Sequence, residues 1–92
     1  MADNRNTVTT NTLLRTGTGS LIGMVLSAST GTTTFTFWNN TASSATKILE
    51  IHVSNAQPVI LFLSEKFFID FTTGLYLTVG ANGSATVWWR DY

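Results

Sequence analysis

Short segments of alternating polar and apolar residues recur along this chain from Leu13 onward. Turn residues separate them about every eight to twelve positions. The clearest segment runs from Thr33 to Asn39, where Phe35 and Phe37 share one face and threonines occupy the other. A period of two predicts β-strands, because successive side chains of a strand point to opposite faces. No segment has the period of an amphipathic helix, so the chain is predicted to be all-β.

Eight segments, either alternating or continuously apolar, are predicted to be strands. They cover residues 13–15, 20–27, 33–39, 47–54, 59–63, 67–71, 75–79 and 84–92. The connections are too short for the crossovers that a parallel sheet requires. We therefore expect one domain over residues 13–92, a small antiparallel β-sandwich that is jelly-roll-like and has seven to eight strands. Within the second segment, Gly23 predicts a bulge or a close neighbour.

The first twelve residues, MADNRNTVTTNT, differ from the rest because they offer almost nothing to bury. A terminus rich in uncharged polar residues predicts a flexible arm over residues 1–12. The arm also lacks the apolar stretch of a signal peptide. No apolar run in the chain approaches the roughly 18 residues of a membrane span. We therefore expect synthesis in a cytoplasm and no membrane partner.

The composition excludes several classes of function. Only 11% of the 92 residues are charged and the formal net charge is +0, which removes the electrostatic attraction to nucleic acid or an anionic membrane. Cysteine is absent, which excludes disulfide scaffolds, thiolate catalysis and cysteine-ligated metals. Threonine, serine and asparagine, which favour strands and turns, fill 32 of the 92 positions. Because neither disulfides nor an evident metal site reinforces it, a domain this small is expected to associate with itself or with a partner.

Catalytic and metal-binding patterns are missing from the sequence. His52 is the single histidine, and its neighbour on the same strand face, Glu50, supplies too few ligands for a metal. A solvated position is therefore the expected role of His52. Gly17 and Gly19 open a predicted strand and no Gly-Lys-Ser/Thr follows them, so they indicate a turn and not a phosphate loop. We expect neither enzymatic activity nor a cofactor.

The aromatic residues leave two interpretations open. Trp38, Tyr76, Trp88 and Tyr92 are compatible with a sugar-stacking platform or with anchors of a protein interface, where Trp and Tyr are enriched. Trp89 is expected in the core. Trp38 and Trp88 share their strands with inward-facing aromatics, so at least one of them is expected on a subunit or partner surface.

The order of these features resembles small β-sandwich virion proteins of tailed bacteriophages. The resemblance rests on GTGSLIGMVLS from Gly17, FWNNT from Phe37 followed by KIL from Lys47, FTTGLYLTVG from Phe71 and ATVWWR from Ala85. It covers nearly the whole chain after Leu13. Such proteins are capsid decoration (cement) proteins or small spike and fibre components, often symmetric trimers.

The resemblance implies a non-enzymatic virion protein that stabilises the assembled capsid. Its implied partners are further copies of itself, as a homotrimer, and the major capsid protein or other virion proteins. The expected contacts combine the arm with outward-facing side chains: Asn4, Arg5, Trp38, Tyr76, Trp88, Arg90 and Tyr92. The alternative is a carbohydrate-binding spike or lectin-like module that uses Trp and Tyr for host-surface glycans.

Overall fold

The computed structural model describes residues 2–43 and 46–91, which form nine β-strands and one short 3-10 turn. The strands are β1 (Ala2–Val8), β2 (Thr12–Thr16), β3 (Gly19–Ala28), β4 (Thr32–Trp38), β5 (Lys47–Ser54), β6 (Val59–Phe62), β7 (Ile69–Phe71), β8 (Gly74–Val79) and β9 (Gly83–Asp91). The 3-10 turn, Glu65–Phe67, lies between β6 and β7. The described residues contain no helix that is both long and apolar enough to span a lipid bilayer.

The strands form two antiparallel sheets, which confirms the predicted sandwich. Sheet A has the order β1-β9-β3-β6, with β7 also paired to β3, and sheet B has the order β2-β8-β4-β5. The strand pairs are nested like the two arms of one long hairpin. From the innermost outward they are β4–β5, β3 with β6 and β7, β2–β8 and β1–β9. A long hairpin wrapped into two facing sheets is the arrangement of a jelly roll.

The predicted flexible arm is wrong for residues 2–8. They form β1, which pairs with β9 from Ala2 opposite Asp91 to Val8 opposite Ala85. Among residues 3–8 of this strand, only Val8 is buried in the core. Backbone hydrogen bonds along β9 therefore hold a strand whose side chains are mostly polar, and this strand is the one that raises the count to nine.

The core lies between the inner faces of the two sheets. The fully buried aromatic side chains Phe35, Phe37 and Phe71 occupy its centre, as the alternation predicts for the two phenylalanines of β4. Trp89 is only 7% exposed, which confirms its expected core position. Its indole N–H donates a hydrogen bond of 3.1 Å to Oδ1 of Asp91, so the polar end of the ring has a partner.

A bulge in β3 changes which of its residues face the core. The register with β9 shifts between Leu21 and Gly23, as expected for a bulge at this glycine. Strict alternation would place Leu21 and Met24 on opposite faces, but both are fully buried. The bulge therefore breaks the alternation of faces along β3 and places Gly23 on the outer side of sheet A.

Candidate functional site

The residues predicted to make contacts are divided between the outer surfaces of the two sheets. Three of them project from sheet A: Arg5, Trp88 and Arg90. In β1 and β9, Arg5 lies opposite Trp88, and both alternate with residues of the core side. The structure therefore brings Arg5 and Trp88 together but separates them from the predicted aromatics of sheet B.

The other predicted contact residues lie elsewhere. Trp38 and Tyr76 are neighbours in register on the outer surface of sheet B. Asn4 lies opposite the buried Trp89, on the inner side of β1, which contradicts its placement on a free arm. Tyr92 lies outside the described residues.

An apolar cluster occupies the outer surface of sheet A. The rings of Phe62 and Trp88 are in tilted contact, with centroids 4.9 Å apart and planes at 57°. Both residues flank Gly23 in the β-sheet register, and Val25 and Ile60 form the next cross-strand pair on the same surface. We call these four side chains, Val25, Ile60, Phe62 and Trp88, the apolar face.

The missing side chain of Gly23 makes room for the Phe62 ring. A Cβ atom at position 23 would lie 2.4 Å from Cδ1 of Phe62 and 2.8 Å from the backbone oxygen of Leu61. Real side chains do not approach so closely, so any other residue would displace the ring or the strand. The close approach predicted for Gly23 is thereby confirmed, and its neighbour is a ring of the apolar face.

The apolar face is strongly exposed for such bulky side chains. Ile60 is 70% exposed and Phe62 is 54% exposed, and Phe67, in the 3-10 turn that follows β6, is 69% exposed. Monomeric soluble proteins rarely expose large contiguous apolar patches, and where they do the patch commonly marks an interaction site. The exposure of this cluster therefore identifies a candidate binding surface.

Charged groups border the apolar face at one end, around Arg90. Its guanidinium lies 2.7 Å from Oδ1 of Asp3 and 3.4 Å from Oε1 of Glu65, and it covers the ring of Phe68 at 5.2 Å. One strand along, Ser20 donates a short hydrogen bond to Asp70. These acidic neighbours fix the position of the Arg90 side chain, which forms part of a polar rim beside the apolar face.

The ion pair with Arg90 predicts a pH-dependent contribution to stability. The hydrogen bonds that Arg90 donates hold the pKa of Asp3 below its ordinary value of 3.8. A carboxyl group whose pKa is lowered on folding stabilises the protein fully at pH values above its unfolded-state pKa. This contribution is lost as the pH falls through the folded-state pKa. The Asp3→Asn variant should therefore melt slightly below the wild type near pH 7 and at the same temperature near pH 2. A difference in melting temperature that persists near pH 2 would contradict the attribution of the effect to the ion pair between Asp3 and Arg90.

The outer surface of sheet B is more polar and its aromatic rings are partly covered. The ammonium of Lys47 lies 5.7 Å from the centroid of the Trp38 ring and 3.5 Å from Oε1 of Glu50. The indole N–H of Trp38 is directed at Oγ1 of Thr78, 3.4 Å away. Intramolecular contacts therefore already occupy part of the indole that a sugar would need.

His52 has the solvated position expected from the sequence. It is exposed on β5, and its Nδ1 lies 2.9 Å from Oγ1 of Thr34 on the neighbouring strand. In residues 2–43 and 46–91 no group of three or more His, Cys, Asp or Glu side chains is placed to hold a metal ion.

Sequence reasoning missed the residues that dominate the apolar face. Neither Ile60 nor Phe62 was among the predicted contacts. The signal is the uninterrupted apolar run VILFL from Val59, which has no polar face. A two-layer sandwich covers only one side of each sheet, so such a strand must expose apolar side chains unless a partner covers them.

No protein-family model, no curated protein and no solved structure matches this chain. The resemblance to phage virion proteins therefore stays a prediction.

Proposed function

We propose that this chain is a non-enzymatic assembly protein that docks on a larger protein surface through its apolar face. The observation that carries the proposal is the pair of exposed side chains on β6: Ile60 is 70% and Phe62 is 54% exposed, beside Trp88. Burying them against a partner would contribute roughly 25 cal/mol for each Å² of apolar surface removed from water.

The chemistry of the apolar face suits a protein partner. Its centre holds no charged side chain, and it combines an aromatic pair with two β-branched residues, Val25 and Ile60. Interface cores are depleted in charge and enriched in aromatic residues, and polar groups surround them. Arg5 and Arg90 supply such a rim at the edges of the cluster.

The partner we propose is the outer surface of a tailed-phage capsid, with the major capsid protein as the contact. The resemblance described above supports this choice, and so does the low charge of 11%, which suits a surface that is largely covered in an assembly. The protein would be made in the host cytoplasm and would act on the virion, where bridging adjacent capsid subunits makes their separation more costly.

A carbohydrate-binding role is the weaker proposal. Stacking requires an accessible aromatic face, and Lys47 already lies over Trp38 at 5.7 Å. Within residues 3–43 and 46–91, the three most exposed large apolar side chains all belong to the β6 segment and its following turn: Ile60, Phe62 and Phe67. Ile60 is the most exposed of the three and has no ring on which a sugar could stack, so the patch as a whole favours a protein partner.

The capsid proposal is tested by locating the protein in assembled particles. Under this proposal a phage encodes the chain, and its virions should be purified on a density gradient and probed with an antibody against the protein. We expect the protein in the particle band, with its epitopes accessible from outside. Its recovery only in the soluble fraction, with no rebinding of added protein to the particles, would contradict the proposal.

A further inference from the structure

The strands at the sheet edges differ in one chemical respect. An edge strand presents unpaired backbone groups, and proteins commonly prevent unwanted pairing there with charged side chains. In the described residues, β1 carries Asp3 and Arg5, β2 carries Arg15, and β5 carries Lys47 and Glu50. Strand β6 lies at the end of the sheet A order and has the sequence VILF, without a charged or polar side chain. It is therefore the edge best suited to accept another strand.

The direction of the backbone groups of β6 follows from one hydrogen bond. The N–H of Leu63 donates to the carbonyl oxygen of Ile22 at 2.9 Å, so the backbone groups of Leu63 point toward β3. These groups alternate in direction along a strand. Those of Leu61 therefore also point toward β3, whereas those of Ile60 and Phe62 point to the free edge.

We infer that β6 pairs in antiparallel orientation with β6 of a second copy of this chain. This goes beyond the docking function, because the backbone edge makes the contact and the apolar face stays open. The register that uses both free positions has its twofold axis at Leu61 and sets Ile60 opposite Phe62 of the second copy. Each copy then exchanges backbone hydrogen bonds through two residues, and the pairing is isologous, as in most homodimers. This pairing closes as a dimer, in place of the homotrimer that the resemblance implies.

The side chains of the paired strands are complementary in this register. Ile60 and Phe62 project from the same surface of sheet A, so each would pack beside its opposite type from the second copy. Pairs of an aromatic and a β-branched residue are favourable cross-strand neighbours. The formal net charge of +0 imposes no repulsion between the copies. The two apolar faces would then join into one continuous surface.

The direct test is sedimentation velocity over a range of protein concentrations. The wild type should form a dimer as the concentration rises. Ile60→Pro removes the outward N–H while keeping an apolar side chain, and an edge position of this kind tolerates proline. It should raise the dissociation constant at least about tenfold, whereas the matched control Ile60→Val, which keeps the N–H, should change it by less than about threefold. A wild type that remains monomeric, or a dimer that Ile60→Pro leaves unchanged, would overturn the inference.

Amide hydrogen exchange on the wild type keeps the test independent of how proline is tolerated. The N–H groups of Ile60 and Phe62 should become protected as the protein concentration rises. The N–H of Leu61, bonded within the sheet, should be protected at every concentration. Concentration-independent exchange at Ile60 and Phe62 would overturn the pairing. If the wild type forms this dimer but does not bind particles, the result contradicts only the proposed function and leaves the β6 pairing standing.

Discussion

Replacing Phe37 with alanine is expected to lower the free energy of unfolding by about 3–5 kcal/mol, the usual cost of removing a buried phenylalanine. Phe37 is fully buried on β4, between Leu49 of β5 and Leu77 of β8 in the register of sheet B. A domain of this size has a total stability of only about 5–10 kcal/mol. The variant should therefore lose about a third or more of the stability of the domain.

Urea unfolding measures this loss, and Phe67→Ala provides the matched control. Phe67 is the same residue type but 69% exposed, so its replacement should change the free energy of unfolding by less than about 0.5 kcal/mol. Both variants should keep the urea dependence of the wild type, because the surface exposed on unfolding is nearly the same. Equal losses for the two variants would contradict the placement of the core.

The fold class is predictable from the sequence because burial and alternation coincide in most strands. In β8 and β9, Leu75, Leu77 and Val87 are buried as their alternation predicts. Strand β1 was not predictable in this way, since a strand held mainly by backbone pairing with β9 carries no apolar pattern. Strand β1 forms by pairing with the free edge of β9, and that edge exists only once the rest of sheet A has assembled.

The candidate site was less predictable than the fold. Trp88 was anticipated from its position opposite Trp89, but Ile60 and Phe62 belong to an apolar run that is equally compatible with a strand buried on both faces. The strand order decides between these possibilities, because it places β6 at the end of sheet A, where one face of the sheet lies outside. The pattern of VILF alone does not determine that order.

Replacing Phe62 with serine is expected to abolish most of the docking that we propose. Phe62 is 54% exposed and contacts Trp88, and central aromatic residues of this kind carry a large share of interface binding energy. Truncating such a residue costs about 2 kcal/mol or more, so affinity should fall about 30-fold or more. The fold should persist, because the side chain lies outside the core cluster.

The decisive measurement is the binding of purified variants to assembled particles that have been stripped of the protein. Leu13→Ser is the matched control, because Leu13 is 41% exposed and lies opposite Tyr76 on sheet B. We predict that Phe62→Ser loses binding about 30-fold or more while Leu13→Ser binds like the wild type. Full binding by Phe62→Ser, or a loss confined to Leu13→Ser, would contradict docking through the apolar face of sheet A.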